Sequence, residues 1–384
     1  MDFSQLIGHT HLVSHLRSTV ASKRVAHAQL FVGSLGAGVF PLAWAYAREL
    51  LCSTHQVGTD AHRIAGEQVD NLAHPDLHLV FPVNTKTGDK RKHLSDAFLE
   101  EWRTFITEQP YGSLFDWYME LGIENKQGMI KVIEAEQMHK KLSLKAFGGG
   151  YKVMIVWAAE KMNNECANQL LKLIEEPADD TVLILLAEDQ EQLLRTIRSR
   201  CQQLDVPLLQ QAQVAQGLVD QYQVEPSQAQ TLARRAHGDF GKAIHLYKQD
   251  DQEQFFEAWF VEWIRTAFKA KGNKGAVQQL LSWSDRMAGQ GRETQKKFLN
   301  YTLELFRQGL LENYAATDLV YFQTADEKFT ISNFAPFVHQ NNIYEIYKLI
   351  DTAILHIERN GNAKMIFSDL GIQLTRLIHR KETV

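Results

Sequence analysis

Cysteine is scarce: Cys52, Cys166 and Cys201 are the only three in 384 residues. Three scattered thiols cannot build a disulfide framework, and their number fits a reducing compartment. A long apolar run is missing as well. No stretch approaches the ~20 residues needed to span a bilayer. The opening MDFSQLIGHT is polar where a secretory leader carries an apolar core. The expectation is a cytoplasmic, soluble chain with no membrane contact. An excess of positive charge is absent too, because the formal net charge is -5 with both signs interleaved. A protein that grips nucleic acid alone is usually basic, so any DNA contact is expected to be local or shared. There is no internal repeat and no low-complexity tract. With 45% hydrophobic and 23% charged residues, the composition is globular. Its length suits two or three domains of about 100–200 residues each.

Residues 1–207 alternate short apolar runs with amphipathic stretches. AQLFV (28–32), YKVMIVW (151–157) and TVLILL (181–186) are nearly continuous apolar runs followed by loop or helix signals. Strands of a parallel sheet read this way because helices cover both faces. After YKVMIVW, the residues Met162, Ala167, Leu170, Leu171 and Ile174 recur at helical spacing and Pro177 ends the pattern. The fold class is therefore α/β with parallel crossovers. Residues 208–248 read as short helices, and from about 252 the pattern is all helical. There Phe256, Trp259, Phe260, Trp263 and Ile264 share one face. Such stripes suit a helix-on-helix core, with a partner-helix surface as the alternative. The stretch 82–128 is long, irregular and charged, and reads as an insert on the first domain.

The first strand runs into Gly33-Ser34-Leu35-Gly36-Ala37-Gly38-Val39-Phe40-Pro41. Glycines at these positions suit a phosphate-binding loop, whose backbone N–H groups close around an anion. A tight strand-to-helix turn would look the same. A working loop continues with a Lys that neutralises phosphate and a Ser or Thr whose hydroxyl holds Mg²⁺. Here Val39 and Phe40 stand at those places, and Pro41 removes one more N–H. The second half of such a site needs an Asp and a Glu at the end of a later strand. Trp157 and Ala158 occupy those positions. Glu160 follows, either as a helix N-terminal acid or as a substitute metal ligand.

Several segments together resemble the bacterial DNA polymerase III clamp-loader subunits of the AAA+ class, most closely the delta-prime branch. They are FSQLIGH (3–9), HAQLFVGSLGAG (27–38), HPDLHLVFP (74–82), YKVMIVWAAEKMNNECANQLLKLIEEP (151–177), LLRTIRSRC (193–201), HGDFGKAI (237–244) and RNGNAKMIF (359–367). The resemblance implies a P-loop NTPase-like AAA+ parallel-sheet domain over 1–207, a small helical lid over 208–248 and an all-α collar over 249–384. It implies a non-hydrolysing subunit in a hetero-oligomeric ring with clamp-loader ATPase subunits and a delta-type subunit. That ring uses ATP to load a sliding clamp onto primed DNA. Ser199-Arg200-Cys201 matches the family motif that supplies an arginine finger to a neighbour's ATP. An always-charged planar guanidinium suits that task, although Arg200 could also be a solvated surface charge. Arg195 and Arg198 are left as surface or interface residues.

The chain departs from the family pattern at several places. The lid Arg of ATPase members is Gly241 here, and Ala187 stands at the polar sensor position after TVLILL. A four-cysteine zinc module is common in the family. Here only Cys52 lies in that interval, with Asp60, Arg63 and Gly66 at the other expected positions. His55, His62 and His74 are nearby, yet no metal is expected and no cofactor is assigned. Lys161, Lys172 and Arg198 are the candidates for DNA contact. The alternative function is a nucleotide-binding AAA+ ATPase with a non-standard phosphate loop.

Overall fold

The computed structural model describes all residues except 87, 124–125, 249–250, 317–319, 321–328 and 382–384, and except the side chains of 251–254. Residues 87, 124 and 125 of the insert, and residues 249 and 250 at the expected start of the collar, thus lie outside the described residues. The chain forms two compact units that meet in sequence near Leu246 and Tyr247.

In the first unit the order is α1 (Thr10–Ala21), β1 (Ala28–Val32), α2 (Val39–Cys52), α3 (Asp60–Asp70), β2 (Leu77–Val80), α4 (Leu99–Glu108), α5 (Leu114–Leu121), α6 (Val132–Ser143), β3 (Lys152–Val156), α7 (Asn164–Glu175), β4 (Thr181–Ala187), α8 (Arg195–Arg198), β5 (Gln202–Asp205), α9 (Gln211–Tyr222), α10 (Pro226–Ala236) and α11 (Phe240–Tyr247). The five strands make one sheet in the order β2-β3-β4-β1-β5, and every pairing is parallel. β1 lies between β4 and β5, so the chain reverses its direction of winding beside it. In open parallel sheets, ligands bind outside the carboxyl ends of strands at such a switch point. The glycine loop leaves the carboxyl end of β1, and Trp157 follows β3 at the same edge.

Strand alternation splits the core in two. Phe31, Ile155 and Ile184 face one layer with α2 and α4. Leu30, Met154 and Leu185 face the other with α6 and α7. Both faces are covered, which is why the strands read as unbroken apolar runs. The insert is not irregular, because it carries α4 and α5. In α4, Trp102, Phe105 and Ile106 are buried. In α5, Ser113 and Asp116 form a reciprocal capping box.

The second unit contains α12 (Asp251–Lys269), α13 (Lys274–Ala288), α14 (Arg292–Asn313), α15 (Ile331–Phe334), α16 (Ile343–Glu358) and α17 (Ala363–Leu377). Phe256, Phe260, Trp263 and Ile264 are core residues of this unit, and Trp259 packs against it. Trp263 stacks on Trp283 at 4.8 Å between ring centroids. The aromatic stripe is thus helix-on-helix core. Among the described residues no helix is long and apolar enough to cross a membrane.

Candidate functional site

The glycine loop folds into a tight turn whose backbone is already engaged. Leu35–Ala37 form one 3-10 turn, and Gly38 closes it in the left-handed region at φ 99. Gly33 N–H donates to Ala187 O at 3.0 Å, Ala37 N–H to Ser34 O at 3.0 Å and Gly38 N–H to Leu35 O at 3.2 Å. Leu35 N–H donates to Glu188 Oε1 at 3.1 Å. The carboxylate of Asp239, just before α11, accepts from Ser34 Oγ at 2.8 Å and from Lys242 N–H at 2.7 Å. Two carboxylates therefore lie on the loop where a triphosphate would need cations and free N–H donors.

Space is closed as well as charge. A Cβ on Gly36 would overlap the Asp239 carboxylate. A Cβ on Gly241 would overlap the Tyr111 carbonyl and come within 3.2 Å of Gly36 Cα. Gly241 needs glycine because backbone meets backbone there, and Gly36 because the Asp239 side chain fills the space a Cβ would take. Tyr111 belongs to the insert. It is buried, its hydroxyl accepts from Ile7 N–H at 3.4 Å, and its ring meets Phe240 edge-on at 4.9 Å. His9 is buried beneath the turn, with Nε2 2.8 Å from Ala37 O. Burial holds its pKa below the ordinary histidine value.

Val39 and Phe40 begin α2 and are buried in the core. Phe40 packs edge-on against Trp102 at 5.7 Å. Trp157, at the expected acid position, meets the same Trp102 at 5.0 Å. Phe81 stacks on Trp102 at 4.2 Å. The insert's α4 thus drives one indole between the two positions where an ATPase keeps its Lys-Ser and Asp-Glu pairs. Ala158 is buried and takes a left-handed conformation at φ 53. These residues do not fit a magnesium–nucleotide: the side chains that meet there are aromatic, and the acids lie on the loop.

Glu160 differs from the simpler sequence expectation. It sits in the 3-10 turn Ala159–Lys161, ahead of the Asn163 cap of α7, so it is not in that helix's first turn. Its Oε2 is buried without a hydrogen-bond partner. Burial, with the Glu188 charge adding to it, pushes its pKa up to about 7.

Arg200 lies elsewhere, between α8 and the edge strand β5. Ile197 and Cys201 anchor the backbone on either side of it, Ile197 fully buried and Cys201 packed against the same core layer. Ser199 Oγ donates back to Thr196 O at 3.2 Å. The Arg200 side chain is 40% exposed, and its Nε lies 2.7 Å from Glu175 Oε1. Arg198 is held by Glu191.

The family profile described as "DNA polymerase III, delta subunit" matches residues 8–210. A DNA polymerase III subunit delta' from Bacillus subtilis is 28% identical over 236 residues, covering 62% of this chain and 58% of its own length. A second, from Pseudomonas aeruginosa, is 38% identical over 122 residues, covering 32% of this chain and 37% of its own. The chain belongs to the delta-prime family of DNA polymerase III clamp-loader subunits. The match spans less than two thirds of those relatives' lengths. A tau subunit of Bacillus subtilis, 24% identical over 252 residues, covers 64% of this chain and 37% of its own length.

Two family features can be located on this delta-prime relative. In the zinc-module interval, Cys52 ends α2 and is buried, and burial raises its thiol pKa. Asp60, Arg63 and Gly66 lie on α3, where Arg63 pairs with Asp60 and Glu67. His74 Nδ1 accepts from Asp76 N–H at 3.1 Å. Among the described residues no three His, Cys, Asp or Glu are grouped to hold a metal. The candidate DNA contacts fall on three elements: half-buried Lys161 after β3, exposed Lys172 in α7, and Arg198 in α8. Tyr111, Asp239, Glu188 and Trp102 were not legible as site residues in the sequence. Only Trp102 left a signal, through its helical spacing with Phe105 and Ile106.

Proposed function

We propose that this chain is a non-hydrolysing subunit of a clamp loader that scaffolds the loader ring and supplies Arg200 in trans to a neighbour's ATP. The observation that carries the first half is Trp102, wedged between Phe40 and Trp157. A loop with four of its N–H groups bonded within the chain, with no cation at Val39 and with Asp239 and Glu188 beside it, offers a triphosphate repulsion instead of binding. As an isolated chain it is therefore not an enzyme. The second half rests on Arg200, exposed and held on a backbone anchored by Ile197 and Cys201. A finger in trans couples hydrolysis to subunit packing, because its guanidinium must arrive as charge builds on the transferring phosphate.

The partners on this reading are the ATPase subunits and a delta-type subunit, with the sliding clamp and primed DNA reached through the complex. The sheet domain over 1–207, the lid over 208–248 and the collar over 249–384 carry the AAA+ frame, its small helical cover and the ring contact. The setting is the cytoplasm. The test is ATP turnover by loader complexes reconstituted with Arg200→Ala. Assembly should be intact and hydrolysis slower. Arg200→Lys should not restore the rate, since an ammonium lacks the planar fork. Unchanged turnover with Arg200→Ala would remove the finger from the account.

A further inference from the structure

We infer that Glu175 is a positioning residue for Arg200, orienting the guanidinium so that its outer edge is free for phosphate. The inference rests on the finger reading above and deepens it.

Two oxygens within the chain hold the guanidinium, one through an ion pair and one through a hydrogen bond. Nε is 2.7 Å from Glu175 Oε1, and Nη1 donates to Thr196 O at 3.0 Å. A guanidinium carries five N–H donors in a rigid fork. One is on Nε, and one Nη1 proton is used by Thr196. One Nη1 proton and both Nη2 protons remain; one Nη2 proton lies on the Nε edge beside Glu175, and the outward-pointing ones are offered to phosphate oxygens.

Glu175 is the last residue of α7. An acid in a last turn faces the negative end of the helix dipole and is poorly placed for helix stability. The ion pair is also half exposed, with side chains 40% and 47% accessible. Exposed pairs contribute little to stability, so folding alone gains little from this one. Its geometric effect is large by comparison. It removes the rotational freedom of a long side chain before a neighbour arrives, and that loss would otherwise be charged to the transition state.

The experiment uses full-length variants in reconstituted loader complexes, reading kcat and KM for ATP. Glu175→Ala should lose roughly half or more of the kcat that Arg200→Ala loses, with KM and assembly unchanged. Glu175→Gln should keep most of the rate, because an amide oxygen on a side chain of the same length keeps the close contact with Nε. The double variant Glu175→Ala/Arg200→Ala should match Arg200→Ala alone. Wild-type kcat in Glu175→Ala overturns the inference, as does a double variant slower than Arg200→Ala or a Glu175→Gln as slow as the alanine. If Arg200→Ala slows the complex and Glu175→Ala does not, the finger stands and only the role of Glu175 falls. If Arg200→Ala itself changes nothing, both fall.

Discussion

Trp102 of the insert meets Trp157 at 5.0 Å between ring centroids, at the strand end where a P-loop ATPase keeps its metal-binding Asp. The same indole touches Phe40 at the position of the Mg²⁺-binding hydroxyl. One side chain therefore joins both substituted halves of the site, and the insert is built into the core.

That contact should be costly to remove. Trp102→Ala empties a fully buried site and is expected to cost roughly 3–5 kcal/mol, read by chemical denaturation of the full chain. Trp102→Phe should be far milder, since the indole N–H has no partner. An alanine variant within about 1 kcal/mol of wild type would mean that the insert is not a structural part of the domain.

Gly36 and Asp239 should behave as a coupled pair. Gly36→Ala pushes a methyl into the carboxylate and is expected to cost about 1–3 kcal/mol. Asp239→Ala loses the cap of α11 and the Ser34 bond, about 1 kcal/mol. In the double variant the clash is gone, so the total should be well below the sum. Additive costs in the double-mutant cycle would contradict the contact.

Glu160 gives a pH signature. Its folded pKa is raised to about 7 from the ordinary 4.5, with burial as the main cause. The folded state then binds more protons than the unfolded state between those values, so this group's contribution to stability falls as pH rises through that window. Glu160→Gln should remove that fall and gain up to about 3 kcal/mol relative to wild type at pH 8. Equal pH profiles for the two proteins would show that the carboxyl is solvated.

Much of the frame was legible in the sequence because its signals are local. AQLFV matches β1 residue for residue, YKVMIVW runs one residue past β3 at each end, and TVLILL stops one residue short of the end of β4. The edge strand β5 was missed because Gln202, Gln203 and Asp205 are exposed polar residues with no apolar alternation to find. The helices of the insert were hidden by their charged faces. Tyr111 and Asp239 reach the loop across long stretches of chain, and no periodicity records a contact of that kind.

Nucleotide binding by the full-length chain tests the account most directly. Calorimetric titration with ATP and Mg²⁺ should give no saturable heat. Tight, Mg²⁺-dependent binding would contradict it, because Trp102, Asp239 and Glu188 would all have to leave the positions they hold.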